Sequence, residues 1–176
     1  MSFKKTVKQT AAVALMTRHI EVLLEGGSRS GKTFIAVFAL FVRSLKHPNS
    51  RHLVVRRHSA HIIASVWSQT VPSVCKIAFP GLAYTENKKD FYVSFPNGSQ
   101  IWFAGTDDKE RIEKLLGQEW DTIYMNEASQ MPYSTYELLK TRLNPQAGIK
   151  PLFLIDYNPP SRRHWGFLVF HLGVNP

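Results

Sequence analysis

The sequence is poor in cysteine: Cys75 is the single one among 176 residues. An intrachain disulfide and a multi-cysteine metal site are thereby excluded, and a buried structural thiol is expected at that position. Long apolar runs are also lacking. None approaches the roughly 20 residues needed to cross a bilayer, so no membrane association is expected. Met1-Ser2-Phe3-Lys4-Lys5 is basic, but the segment after it, Val7 to Met16, is broken by Lys8, Gln9 and Thr10, which does not read as a signal peptide. The seven histidines show no metal-ligand spacing. Repeats, low-complexity tracts and internal linkers are missing as well. Acidic side chains are in deficit, 13 against 22 lysines and arginines, which leaves +9 with histidine neutral. A surplus of that size points to a polyanionic partner, most economically nucleic acid. A hydrophobic content of 44% is enough for a substantial core. One folded domain over residues 1–176, in a reducing cytosolic setting, is the expectation.

What is present is a phosphate-binding pattern. The apolar run from Ile20 to Glu25 ends in Gly26-Gly27-Ser28-Arg29-Ser30-Gly31-Lys32-Thr33, and Phe34 to Leu40 continues without a helix breaker. This is G-x-x-x-x-G-K-[ST] between a strand and a helix, the P-loop setting. Glycines let backbone N–H groups converge on phosphate oxygens, and the positive end of the following helix dipole faces the same anion. Lys32 would reach the β/γ-phosphates as a point charge, and the Thr33 hydroxyl would ligate Mg²⁺. ATP and Mg²⁺ are the implied ligands.

The rest of the chain alternates strand and helix. Val7 to Met16 suits a short helix before the first strand. His52 to Arg56 reads as a buried strand, and Ala60 to Ile77 as a helix that stops at Pro72. Phe91 to Phe95 and Gln100 to Ala104 flank Asn97-Gly98 as a β-hairpin at the sheet edge. Asp107-Asp108 would cap a helix from Lys109 to Leu116, ended by Gly117. Thr122 to Met125 is a strand, Tyr133 to Leu143 a helix, and Pro151 to Asp156 the last strand. The order predicts an α/β fold of the P-loop NTPase class: a mainly parallel central sheet flanked by helices, with ligands at the strand C-terminal ends.

Two further stretches carry chemistry. In Tyr124-Met125-Asn126-Glu127-Ala128 a strand delivers a polar pair beside the P-loop, as a Walker B segment does. The first member normally helps hold Mg²⁺ and the second polarises the attacking water. Asn126 brings an amide in place of a charge, and Glu127 keeps the place of general base or water-orienter. Capping of the next helix is the plainer reading of the same pair. At the end of the last strand, Asn158 is the candidate to sense the γ-phosphate and relay hydrolysis; a loop punctuated by prolines is the plain alternative. Arg29 lies within the phosphate loop, where a guanidinium can stabilise transferring charge or else face solvent or DNA. Arg56-Arg57 follow a strand on the expected ligand edge, where they could contact nucleotide, a neighbouring subunit or DNA, but read most simply as a solvated pair. Lys88-Lys89 and Arg162-Arg163-His164 are basic loop clusters suited to a phosphate backbone. Trp67, Phe91, Trp102 and Phe103 have the spacing of core residues.

Together these stretches resemble the ATPase domain of the large terminase subunit of tailed bacteriophages. Gly26 to Thr33 is similar to that family's arginine-containing Walker A, and Ser99 to Asp108 to the strand and Gly-x-Asp turn before its Walker B. Tyr124 to Ala128 is similar to its Glu-Ala-ending Walker B, and Asp156-Tyr157-Asn158-Pro159-Pro160 with His164-Trp165 to its coupling motif. The likeness covers nearly everything from Ile20 onward. It implies a motor that hydrolyses ATP to push double-stranded DNA into a procapsid, with Glu127, Arg29, Lys32 and Asn158 catalytic and Thr33 and Asn126 at the metal. It also implies a homo-oligomeric ring on a portal protein, a small terminase subunit as partner, and action in the host cytoplasm at the portal vertex. Two departures stand out: Asn126 where an acid is usual, and Arg29 three rather than four residues before Lys32. The family's nuclease domain would follow Pro176, so DNA cleavage is not expected of this chain. A non-hydrolysing nucleotide- or DNA-binding module, and a helicase-like ATPase, are the competing classes; magnesium-dependent phosphate release separates the first, strand separation the second.

Overall fold

The computed structural model of the chain describes residues 3–176, apart from the side chains of residues 109 and 111; Met1 and Ser2 of the basic start lie outside the described residues. Helix α1 (Val7–Arg18) opens on a reciprocal cap: Thr6 Oγ1 accepts from the Gln9 N–H at 3.2 Å, and Gln9 Oε1 accepts from the Thr6 N–H at 3.0 Å. Strand β1 (Glu21–Glu25) runs into the glycine-rich loop, and α2 (Lys32–Lys46) starts from Gly31 at φ 81°. After β2 (Arg51–Arg56) the chain follows one helical path through α3 (Ser59–Ile62), a π-helical segment (Ile63–Thr70) and α4 (Val71–Ala78). Pro72 therefore does not end the helix. The wide turn before it carries the Val71 N–H to the Val66 carbonyl, and Pro72 sits in the first turn of α4, where a missing N–H costs little.

Strands β3 (Thr85–Asn87), β4 (Tyr92–Ser94), β5 (Gln100–Gly105), β6 (Thr122–Met125) and β7 (Leu152–Tyr157) complete one sheet in the order β1-β7-β6-β2-β5-β4-β3. The strands from β1 to β5 in that order pair in parallel, while β4 and β3 add antiparallel at the edge. The hairpin thus stands where its sequence puts it. Its turn is closed by the Gly98 N–H on the Phe95 carbonyl at 2.9 Å, and Gly98 (φ 84°) takes the left-handed place. Asn97 uses its amide to hold the Ser44 carbonyl of α2 at 2.8 Å. Strand β3 is an addition to the expected elements; Thr85-Glu86-Asn87 is polar and mostly exposed, with no apolar alternation to signal it.

Period-two alternation divides the central strands between two cores. Val54, Tyr124, Leu152 and Leu154 face α2, the π-helical segment and α4, with Trp67 set edge-on to Phe91 and Phe103. Leu53, Val55, Ile123, Phe153 and Ile155 face the other side, covered by α6 (Tyr133–Lys140), α7 (Trp165–Phe167) and the end of α5 (Lys109–Leu116). Helices on both faces of a mainly parallel sheet make the three-layer α/β architecture expected. Cys75 is half-buried rather than buried, and desolvation raises its thiol.

One close approach fixes the sheet edge near the site. A Cβ on Gly105 would lie 2.1 Å from the Ser59 nitrogen. The contact lets Asp107 Oδ1 accept from both the Ser59 N–H and its hydroxyl at 2.9 Å. Asp107 thus caps α3, and it is the Asp108 carbonyl that accepts the Ile112 N–H at 2.9 Å to start α5.

Candidate nucleotide site

The parallel strands β1, β7, β6 and β2 all end on one edge, and the polar residues singled out from the sequence gather there. A cavity of about 290 Å³ is lined by Ser28, Arg29, Ser30, Gly31, Lys32, Thr33, Glu127, Asp156 and Asn158, among others. Gly26 and Gly27 lie on its other flank, where the loop meets α1 in a second cavity of about 340 Å³ lined by Ala12, Leu15, Leu23 and Ile35. Arg29 (φ 60°) and Gly31 (φ 81°) are both left-handed, which folds the loop back over the start of α2. For Arg29 that backbone is strained, of the kind functional loops retain. Its side chain is exposed.

Lys32 occupies the centre of the loop. Its Nζ donates to the carbonyls of Gly26 (2.7 Å) and Gly27 (2.9 Å), to Ser30 Oγ (3.2 Å) and to Asn158 Oδ1 (3.1 Å). Asn158 Nδ2 in turn reaches Ser28 Oγ at 3.3 Å, so the residue after β7 clasps the phosphate loop with both ends of its amide.

Beneath the loop lies a buried polar cluster. The register Met125↔Ile155 sets Asn126 beside Asp156, and Leu24↔Asp156 sets the same aspartate beside the strand that feeds the loop. Asp156 is 2% exposed. Its Oδ1 accepts from the Glu127 N–H at 2.7 Å and from Asn126 Nδ2 at 3.0 Å, while Oδ2 lies 3.5 Å from Thr33 Oγ1. The Asn126 amide also donates to Tyr124 OH at 3.0 Å, and Arg56 Nη1 reaches its oxygen at 3.5 Å. Arginine only donates, so that contact turns the amide oxygen to Arg56 and leaves the NH₂ for Asp156. Burial raises the Asp156 carboxyl; the hydrogen bonds from Glu127 and Asn126 and the Lys32 charge oppose the rise. The Tyr124 hydroxyl, packed against Thr33 and Asp156, is pushed well above its ordinary value by desolvation.

Glu127 follows at φ 52° and begins a 3₁₀ turn (Ala128–Gln130), yet its side chain makes no cap hydrogen bond there. That excludes the plain reading of a capping residue. Its carboxylate is instead paired with the Arg56 guanidinium and accepts from Gln130 Nε2 at 3.0 Å. Arg56 is accordingly not a solvated pair with Arg57. Its side chain is 12% exposed and also donates to Ser65 Oγ at 3.1 Å. Arg162 and Arg163 are exposed beyond β7, and Lys88 and Lys89 lie on the far edge, between β3 and β4.

Asp156, which the sequence reading gave no role of its own, and Arg56, which it preferred as a solvated residue, are the two site residues it undervalued. The signal for Asp156 was available: it is the one charge in the otherwise apolar run Leu152–Tyr157. A carboxylate ending a buried strand needs partners or a ligand. Arg56 had no such signal, because its partner lies 71 residues away.

The family described as phage terminase large subunit matches residues 18–172. No curated protein matches the sequence. Among solved structures, the large terminase of a thermophilic bacteriophage superposes with a TM-score of 0.79 at 15% identity, over 94% of this chain and 42% of that one. The same phage protein in complex with ATP-gamma-S gives 0.76 at 14%, over 96% and 41%. The N-terminal domain of the DNA packaging ATPase from bacteriophage phi29 gives 0.68 at 18%, over 98% and 88%. Likeness at these identities is a likeness of fold. The chain spans about two fifths of the length of the thermophilic phage's terminase.

Proposed function

Because the chain belongs to the phage terminase large subunit family, we propose that it is an ATP-hydrolysing motor domain that drives double-stranded viral DNA into a procapsid. The observation that carries this reading is the meeting of Lys32 and Thr33 of the phosphate loop with Glu127 and Asn158 around one cavity at the strand ends. An arrangement of this kind positions a triphosphate and a water, which is most of what phosphoryl transfer asks of a protein.

In this reading the loop amides and Lys32 bind the β/γ-phosphates, with Lys32 exchanging its loop acceptors for phosphate oxygens. Arg29, on the same loop, faces the transferring group. The apolar groove between α1 and the loop takes the base. Glu127 orients the attacking water once its carboxylate leaves Arg56. The donor set beneath the loop fits Mg²⁺, which prefers hard oxygen ligands with charge: the Thr33 hydroxyl and a carboxylate lie together there, with Asn126 hydrogen-bonded to that carboxylate. Mg²⁺ would supply neutralisation of charge on the phosphate oxygens. Asn158 is the coupling residue. When Lys32 turns to phosphate it releases the Asn158 oxygen, and the segment after β7 gains freedom to move.

Double-stranded DNA, a portal protein, a small terminase subunit and neighbouring copies in a ring are the partners, and the host cytoplasm at the procapsid portal vertex is the place of action. The net charge of +9 supports a polyanionic track. Magnesium-dependent phosphate release stimulated by DNA tests the function. Its absence in the full-length protein assembled with portal and procapsid would leave a binding module instead.

A further inference from the structure

The strand end that normally brings a carboxylate to the metal brings a neutral amide here, yet the neighbouring strand brings a carboxylate to the same place. Asp156, next to last in β7, lies between the strand that feeds the phosphate loop and the strand that runs into Asn126. One of its oxygens is occupied by two N–H donors, from Glu127 and Asn126. The other faces the Thr33 hydroxyl at 3.5 Å, and the Tyr124 hydroxyl hydrogen-bonds the same carboxylate. A buried carboxylate is costly unless something uses its charge. The nearby cation Lys32 does not bond it; its Nζ is held by the loop and Asn158. Glu127 stands elsewhere: its carboxylate is 39% exposed and meets Arg56 and Gln130.

Building on the ATPase reading, we propose that Asp156 is the carboxylate of the magnesium site, and that Asn126 holds it in place by donating its amide. The two strands have exchanged the charged and neutral members of the pair. Asn126 then contributes by orientation, through the 3.0 Å hydrogen bond that fixes which Asp156 oxygen stays open toward Thr33.

The exchange suggests its own test: Asp156→Asn, and the reciprocal double variant Asn126→Asp with Asp156→Asn. Asparagine keeps an oxygen for the Glu127 N–H, so the single variant preserves the backbone hydrogen bond. Binding of Mn²⁺ to the protein–ADP complex is read by electron paramagnetic resonance. Fluorescent ATP is titrated in Mg²⁺ and in EDTA. Asp156→Asn is expected to weaken Mn²⁺ affinity by about 10- to 100-fold, with nucleotide affinity in EDTA unchanged. The double variant is expected to recover Mn²⁺ binding. Wild-type Mn²⁺ affinity in Asp156→Asn overturns the assignment, and so does an equal loss of nucleotide binding in EDTA. Should the single variant not fold by circular dichroism, the double variant decides alone: retained Mn²⁺ binding supports the exchange and its loss overturns it. A wild-type protein that binds no nucleotide in EDTA or Mg²⁺ overturns the nucleotide reading itself, and the magnesium assignment with it.

Discussion

The Arg56 guanidinium closes on the Glu127 carboxylate, tying the end of β2 to the turn after β6. The pair occupies the group expected to orient water, so the two residues should respond oppositely to substitution. Glu127→Ala is expected to lower turnover by about 10²- to 10⁴-fold while nucleotide binding persists. Arg56→Gln should raise basal hydrolysis, because the carboxylate is no longer held. Phosphate release measured beside a fluorescent-nucleotide titration checks both; substantial turnover by Glu127→Ala would remove Glu127 from the mechanism.

Lys32 should matter for ligand rather than for fold. Its partners are loop oxygens at the surface, whereas a charged hydrogen bond to phosphate is worth about 1.5–3 kcal/mol. Lys32→Ala is therefore expected to weaken nucleotide binding by roughly 10- to 100-fold with the melting temperature nearly unchanged. Unaltered affinity would refute the phosphate-loop assignment.

Gly105 is a packing constraint at the edge of the site. An added methyl would collide with the Ser59 backbone nitrogen and disturb the Asp107 cap on α3. Gly105→Ala should cost about 1–3 kcal/mol of stability, read as a lower midpoint in urea. A midpoint equal to wild type would show that the turn relaxes at no cost.

His52 gives the fold a pH dependence. It is fully buried, Ser50 Oγ lies 3.0 Å from its Nε2, and its Nδ1 has no partner among the described residues. Desolvation first, and then Arg43 and His47, depress its pKa to about 3, against an ordinary 6.5. A base with a lowered native pKa leaves the unfolded chain holding more protons, so stability falls as pH drops through 6.5 toward 3. The loss approaches about 1.4 kcal/mol per pH unit inside that window. Urea midpoints at about pH 7 and pH 4.5, on either side of the ordinary histidine pKa, should diverge less in His52→Gln than in wild type; an identical slope would assign the acid sensitivity to other groups.

Much of this arrangement was legible in the sequence because its signals are local. The Gly26–Thr33 loop, the apolar strands and the hairpin at Gly98 each announce themselves within about ten residues. The helical path through Pro72 was hidden because the wide π turn ends just before it and the proline falls in the first turn of α4, where its missing N–H costs little. Strand β3 was hidden because an exposed polar edge needs no apolar pattern. The pairing of Asn126 with Asp156 was hidden for a different reason. It depends on which strands become neighbours, and β7 inserts between β1 and β6. Read along the chain, Asn126 looks like a loss; read across the sheet, a carboxylate stands beside it.

The clasp of Lys32 by its own loop has a consequence for timing. The three N–H groups of the Lys32 ammonium are shared among four oxygens that must be given up when phosphate arrives, so part of the phosphate contact offsets bonds already made. The binding well is shallower than an unengaged lysine would make it, and a shallower well empties sooner. For the ATPase proposed above, this self-supplied lysine favours a short product residence time over tight grip.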